Sequence, residues 1–398
     1  MRKTNKIFYR KIQLSFEIKK PILAMGSQTK NTLCFAKENF AYLSPLHQDL
    51  ANPGDFKSFQ EDVKYFLKKT PKIIAYDLHP EYQSTKYALN LYAIRYTMPA
   101  GRQALYAIQH HHAHIASCMV DNGLKNQKVI GVAFDGTGLG ADNTLWGAEF
   151  LICDYKNFKR KAHLRQIPLL GGERAISEPW RLAATWLYLA YKEKFLNLKI
   201  EFLKGTNKNK WKILKDMYLK GINSPLASSM GRLFDAVASI VLEKYEARFE
   251  AELAIELEKI AKSYKVEVRS YEFRLIKDKD AYTLDPLPMF KQIIEDLKRK
   301  VPREKIAYRF HLTVAEMIKM ICLILRKESK INKVVLSGGV FQNNLLLLQT
   351  LDLLYKEGFK VFIHKNLSCN DSGISLGQAI IANFSVASPT GHQRDPAP

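Results

Sequence analysis

Residues 128–140 read Lys-Val-Ile-Gly-Val-Ala-Phe-Asp-Gly-Thr-Gly-Leu-Gly, and shortly before them stands Gln109-His-His-His-Ala-His114. The run from Val129 to Phe134 is apolar almost without interruption. That pattern belongs to a strand covered on both faces, and so to a sheet with helices on either side. The strand ends in Asp135 and enters a glycine-rich turn. In α/β folds ligands bind beyond the carboxyl ends of strands, so the same pattern says where a site must lie.

The rest of the chain alternates in the same way. Pro21–Gly26, Thr32–Ala36 and Phe40–Leu43 read as short strands, and Lys72–Tyr76 as a buried strand ending at Asp77. Helical spacing covers 82–96 and 111–121, with strands at Tyr106–Gln109 and Trp146–Cys153. From about 175 to 325 the pattern is mainly helical, over 178–192, 231–244, 249–263 and 306–326. Lys333–Leu336 is again a buried strand, followed by Ser337-Gly-Gly339, a helix over 343–357, a strand at Phe359–Ile363 and a helix over 373–383. Two α/β lobes facing one cleft are therefore expected, residues 1–170 and 171–384, with a helical block between the two glycine-turn motifs. Residues 385–398 are polar and proline-rich and read as a disordered tail or an engineered scar.

Composition excludes several classes. No apolar run is long enough to span a bilayer, and no apolar segment follows the basic N-terminus, so the cytoplasm is the expected address. The five cysteines are scattered without a C-x-x-C pair, which argues against a disulfide framework or a four-thiolate zinc site. The net charge is +22, but the basic residues are spread along the chain, as lysines coating solvated faces are. Positions 204–220 are the densest basic stretch and read as an exposed insertion. No aromatic-basic module is visible, so nucleic acid is an unlikely partner.

His110 and His114 fall on one helix face, and His111 with His114 could also converge. Imidazole pairs at this spacing suit Zn²⁺ or Fe²⁺. Asp135 can hold a metal or a water, and Gly136, Thr137 and Gly138 offer bare backbone to phosphate oxygens. Gly338 and Gly339 open a helix beyond a buried strand and suit an anion or an adenine, or are a simple turn. Asp371 is either a metal ligand or a cap of the last helix. Arg232 and Asp235, one turn apart, are either ribose and phosphate contacts or a surface ion pair. Arg174 carries a planar fork for an anion, and His79 is catalytic or structural.

Taken together, these motifs resemble the C-terminal half of the HypF family, the carbamoyltransferases of NiFe-hydrogenase maturation. The matching segments include G-S-Q-T-K-N-T (26–32), Y-D-L-H-P-E-Y (76–82), Q-H-H-H-A-H (109–114), G-V-A-F-D-G-T-G-L-G (131–140), G-G-E-R-A-I-S-E-P-W-R (171–181), S-S-M-G-R-L-F-D-A-V-A (228–238), L-S-G-G-V-F-Q-N (336–343) and N-D-S-G-I-S-L-G-Q (370–378). The resemblance implies an actin/hexokinase-like two-lobe fold. It implies a zinc or iron ion on His110, His114, Asp135 and Asp371. It implies a carbamoyl adenylate, formed from ATP, held by Gly136, Thr137, Gly138, Asp235, Glu250, Gly338, Gly339, Asn343 and Asn370, with His79, Arg174 and Arg232 assisting transfer. The implied acceptor is the C-terminal cysteine of a HypE-type protein.

Full-length family members carry earlier modules, among them a carbamoyl-adenylate-forming domain. None is recognisable here, so a fragment or split product that needs that domain in cis or in trans is expected. The family usually has P-P-N-D where this chain has Ser368-Cys-Asn-Asp371, and Y-E-G where it has Phe249-Glu-Ala251. Ala251 thus replaces a glycine that would let backbone approach the nucleotide. The rival readings are a small-molecule O-carbamoyltransferase on the same fold and a nucleotide-binding scaffold without turnover.

Overall fold

The computed structural model describes residues 10–96, 104–264 and 266–385. Two sheets organise it. The first runs Cys34–Leu43, Arg10–Ala24, Ile73–Asp77, Ala104–Ile108, antiparallel in its first pair and parallel thereafter. The second runs Arg274–Asp278, Ala281–Asp285, Phe158–Leu164, Leu145–Cys153, Val129–Leu139, Lys333–Ser337, Lys360–Phe362.

Val129–Leu139 is central in the second sheet, which is why its sequence is apolar on both faces. Side chains alternate across a strand. Ile130, Val132 and Phe134 enter the core under the helical block, while Val129 and Ala133 enter the core that joins the two sheets. Asp135 continues the second series, so its carboxylate falls on the face covered by the helix His110–Asp121. That helix and the closing helix Ile374–Ser385 lie between the sheets. They touch backbone to backbone: a Cβ on Gly377 would lie 1.9 Å from the Ala113 carbonyl oxygen. On the far side of the first sheet, Leu23, Phe35 and Ile74 pack with Phe59 and Val63 of the helix Pro53–Leu67.

The sheets divide between Ile108 and Val129. Strands over 129–168, grouped by the sequence with the first lobe, therefore belong to the second sheet, and the last helix returns to the first. Strand pairing follows long-range register, which a change from strands to helices along the chain does not record. Two of the expected short strands are one element, Cys34–Leu43. The polar Lys37-Glu38-Asn39 stays within that strand, with Glu38 at φ 55° opposite Ile18; the extra residues that shift the register lie on either side of Ile18 in the partner strand Arg10–Ala24. The basic stretch is mostly exposed, as expected, but it is ordered and anchored. Lys208–Lys220 is a helix that buries Trp211 and Leu214, with Trp211 edge-on to Phe195 at 5.0 Å. The helices Pro53–Leu67 and Leu287–Lys298 and the hairpin 274–285 were not anticipated. All five cysteines are free, and among the described residues no helix is long and apolar enough to cross a membrane. The tail 386–398 lies outside the described residues.

Candidate functional site

The Gln109 side chain caps the helix His110–Asp121 by accepting the His112 N–H at 2.8 Å. The capped helix presents His110 and His114 to Asp135, at the irregularity within the strand Val129–Leu139. Asp371, in the turn that starts the closing helix, completes the group. Ligand atoms of His110, His114, Asp135 and Asp371 all lie within 4.8 Å of one another. His114 Nε2 is 3.6 Å from both Asp135 Oδ2 and Asp371 Oδ1, and His110 Nε2 is 3.3 Å and 3.9 Å from the same atoms.

Two observations fit a divalent cation here. The donors are two imidazole nitrogens and two carboxylate oxygens, a set that zinc and ferrous iron accept. His114 Nε2 is buried and makes no hydrogen bond among the described residues. A buried polar atom without a partner calls for an explanation, and an ion is a sufficient one. Electrostatics agree. Burial works against a charged His110, but the Asp77 charge and hydrogen bonds to Asp135 and Asp77 win, holding it well above the ordinary imidazole value. His114 is raised in the same way, against burial, by Asp135 and Asp371. Burial opposes ionisation of Asp135, yet His110 and His114 hold it well below the usual carboxylate range. The site favours positive charge between its carboxylates. His111, the alternative ligand, is pushed well below its ordinary value by burial and then by the His110 charge, and it packs against Trp146.

A second cluster begins one residue further on. Arg232, only 2% exposed, lies 3.1 Å from Asp235 Oδ2 and 3.3 Å from Glu250 Oε1. It is a buried pair, not a surface one, and Arg232 Nη1 has no hydrogen-bond partner among the described residues. Burial raises the Asp235 carboxyl despite Arg232. Gly136 borders this cluster: a Cβ there would lie 2.8 Å from Glu250 Oε1. Ser229 caps the helix Met230–Leu242, accepting the Arg232 N–H at 3.1 Å and donating to the Gly136 carbonyl. The helix N-terminus and Arg232 therefore abut Asp135 and Gly136, which are not the strand-ending turn expected from the sequence: the strand Val129–Leu139 continues through the glycines, with its pairing interrupted between Phe134 and Gly138.

Other expected residues have different neighbours. Gly138 is bare because a Cβ would lie 2.7 Å from the His110 ring, and Thr137 stands half-buried beside it. Gly338 takes φ 107°, and a Cβ on it would lie 2.1 Å from the Phe134 carbonyl oxygen. Its lack of a side chain answers to the neighbouring strand. Gly339 donates its N–H to Asp135 Oδ1 at 3.0 Å, tying the second glycine turn to the metal group. Asn343 caps its helix and bonds His311, and Asn370 caps the turn that begins at Asp371. Arg174 is not brought to the metal group: its side chain is exposed and pairs with Glu178 at 2.7 Å. Ala251 sits at φ 66° ahead of the helix Glu252–Ala261. A glycine there would serve backbone conformation as well as access.

His79 is half-buried, stacks on Tyr82 at 4.2 Å and donates its backbone N–H to Asp77 at 2.9 Å. Burial lowers its pKa, only partly offset by Asp77. Burial, and then the charges of Asp77, Asp371, Asp135 and Glu250, push the Tyr82 phenol well above its ordinary value. Sequence reading passed over Tyr82 and gave Asp77 no role. The one available signal was a carboxylate ending an apolar strand, as at Asp135.

The family model described as carbamoyltransferase, Kae1-like domain, second subdomain, matches residues 131–378. The HypF Kae1-like domain model matches residues 17–121, so the two meet where the sheets divide. The chain belongs to the HypF carbamoyltransferase family. It is 34% identical over 386 residues to carbamoyltransferase HypF of Synechocystis sp., covering 93% of this chain and 48% of that one. It is 32% identical to a carbamoyltransferase HypF homolog of Cupriavidus necator, covering 95% of this chain and 96% of the relative. A crystal structure of full-length HypF in a phosphate- and nucleotide-bound form superposes with a TM-score of 0.86 at 38% identity, over 96% of this chain and 58% of that one. The chain spans about half the length of the first curated relatives it matches.

Proposed function

We propose that this chain transfers a carbamoyl group from carbamoyl adenylate to the C-terminal cysteine of a HypE-type acceptor, serving cyanide-ligand synthesis for NiFe hydrogenase. One observation carries the reading. Asp135 belongs to the four-ligand group and the next residue, Gly136, borders the Arg232 cluster. A ligand reaching both has a carbonyl directly beside a phosphate, as an acyl adenylate does. The relative solved with phosphate and nucleotide adds weight to a nucleotide here.

A zinc or iron ion on His110, His114, Asp135 and Asp371 would polarise the carbamoyl carbonyl. Arg232 and the N-terminus of the helix Met230–Leu242 would hold the phosphate. Gly339 N–H keeps Asp135 turned toward the histidines. The Glu81 N–H donates to His79 Nδ1 at 3.3 Å, which leaves the neutral ring with its proton on Nε2. His79 then suits hydrogen-bond donation to the bound carbamoyl group better than proton abstraction. The acceptor thiol loses its proton to solvent and attacks as thiolate. The S–C bond forms, the C–O bond to phosphate breaks, and the electron pair departs with AMP.

The test supplies synthetic carbamoyl adenylate and a HypE-type acceptor, with mass spectrometry of the acceptor's C-terminal peptide. One added carbamoyl group is expected. Carbamoyl phosphate and ATP alone should give little transfer until the adenylate-forming domain is added in trans. No transfer from supplied adenylate by metal-loaded protein would favour the scaffold, and transfer to a small alcohol instead would favour an O-carbamoyltransferase.

A further inference from the structure

Behind His114, on the side away from the ligand group, runs a line of buried polar groups. Ser337 Oγ is 3.5 Å from His114 Nδ1, and His364 Nε2 is 3.0 Å from Ser337 Oγ. His364 Nδ1 faces Asp121 Oδ2 at 3.4 Å, within ion-pair distance, and makes no hydrogen bond among the described residues. The His364 and Asp121 side chains are 4% and 2% exposed. Asp121 lies on the same helix as His114, two turns on, so the line leaves the helix and returns to it.

We propose that Asp121, His364 and Ser337 form a hydrogen-bond relay that fixes the tautomer of His114 and presents its Nε2 lone pair to the metal. This rests on the metal reading of the four-residue group. The relay has a direction, set at its far end. Asp121 Oδ2 accepts backbone N–H groups of Lys365, Asn366 and Leu367 at 2.7, 2.9 and 3.2 Å, and Oδ1 accepts Asn366 Nδ2 at 3.1 Å. A carboxylate so surrounded is an acceptor only. Burial opposes its ionisation, but His364 and those amides hold it well below its ordinary value. The His364 nitrogen facing it therefore carries the proton, and Nε2 is left as an acceptor. Burial, opposed by Asp121, keeps His364 below the usual imidazole value and so neutral. Ser337 must donate its hydroxyl proton to His364 Nε2. Its lone pair then faces His114 Nδ1, which must carry a proton. The only lone pair left on His114 is on Nε2, the buried atom without a hydrogen-bond partner among the described residues, 3.6 Å from Asp135 and Asp371.

The two ligand histidines are thus backed differently. His110 meets a carboxylate directly, at 2.8 Å from Asp77. His114 meets one through two intervening groups, and its nearest link, at 3.5 Å, is the longest hydrogen bond of the line. The segment supplying His364 also anchors on Asp121 and leads into Asp371, so one stretch of chain supports one ligand and contributes another. Outer partners of metal histidines are worth about 10- to 100-fold in metal affinity.

The experiment measures zinc affinity of the full chain by chelator competition in Ser337→Ala, His364→Leu and His364→Gln, with circular dichroism and melting beside it. Ser337→Ala and His364→Leu should weaken zinc about 10-fold or more without loss of helix content. His364→Gln should stay within a few-fold of wild type, because Gln Oε1 can accept the Ser337 hydroxyl where Nε2 did. If Ser337→Ala does not fold, the two His364 variants decide. Equal loss in His364→Gln and His364→Leu would reduce His364 to packing and overturn the relay. Wild-type affinity in His364→Leu would overturn it as well. A wild-type chain that takes up no zinc would overturn the metal reading itself, a result distinguishable from the other two.

Discussion

His110 Nδ1 lies 2.8 Å from Asp77 Oδ2, and both side chains are fully buried. The contact is made by sheet register. Asp77 ends the strand Ile73–Asp77, which pairs in parallel with Ala104–Ile108, so that Asp77 stands opposite Ile108 and His110 follows in the next turn. The carboxylate accepts a hydrogen bond from His110 Nδ1–H, which leaves the Nε2 lone pair toward Asp135. Asp77→Asn should therefore lower zinc affinity about 10- to 100-fold with little change in fold. Chelator competition measures this, and unchanged affinity would remove His110 from the ligand set.

His110→Ala combined with His114→Ala removes both nitrogen donors. Purified double variant should contain no stoichiometric metal by elemental analysis and show no transfer from supplied carbamoyl adenylate. Metal content equal to wild type would place the ion elsewhere.

Metal loading should depend on pH with a definite sign. His110 and His114 have raised values in the metal-free site, so protons compete with the ion to higher pH than for free imidazole. Zinc affinity should rise with pH through neutrality. For the metal-free chain the sign is opposite. A raised folded value gives stability that is fully present below the unfolded value of about 6.5 and is lost as pH rises through the folded one. The melting-temperature gap between loaded and metal-free protein should widen as pH increases. A gap independent of pH would mean these imidazoles do not bind the ion.

The two glycine turns should respond differently to substitution from what their spacing suggests. Gly338→Val places a side chain where φ is 107° and the Phe134 carbonyl is 2.1 Å away, so little folded protein should be recovered. The informative variant for the nucleotide is Arg232→Lys, which keeps the charge and loses the fork. AMP affinity by calorimetry should fall about tenfold, as for loss of a charge-assisted hydrogen bond of ~1.5 kcal/mol. Unchanged affinity would move the nucleotide away from Arg232.

Ala251→Gly should stabilise the chain. Ala251 holds φ 66°, a conformation costing a non-glycine residue about 1–2 kcal/mol. Part of that gain is returned through the freer unfolded chain, leaving about 1 kcal/mol or less. A lower melting temperature in the variant would show that packing around the alanine methyl outweighs the backbone cost.

Local pattern carried much of this molecule. The apolar run 129–134 read as a doubly covered strand, and the i,i+4 spacing of His110 and His114 placed them on one helix face. Those features depend on neighbours within a turn or two, where period and residue type suffice. Asp135 and Asp371 were legible as motif residues, but their meeting with the histidines was not readable from spacing. What the tertiary structure decided involves partners far apart in sequence. It joined Val129–Leu139 to Lys333–Ser337, laid Gly377 on Ala113, turned Gly338 toward Phe134, and brought His364 between Asp121 and Ser337. It also paired the strands over 129–164 with Lys333–Ser337 and Lys360–Phe362 in one sheet and left Arg174 in solvent. Hydrophobic period records only which face of an element is buried. Which other element covers that face is set by strand register and close backbone contact, and a linear pattern contains neither.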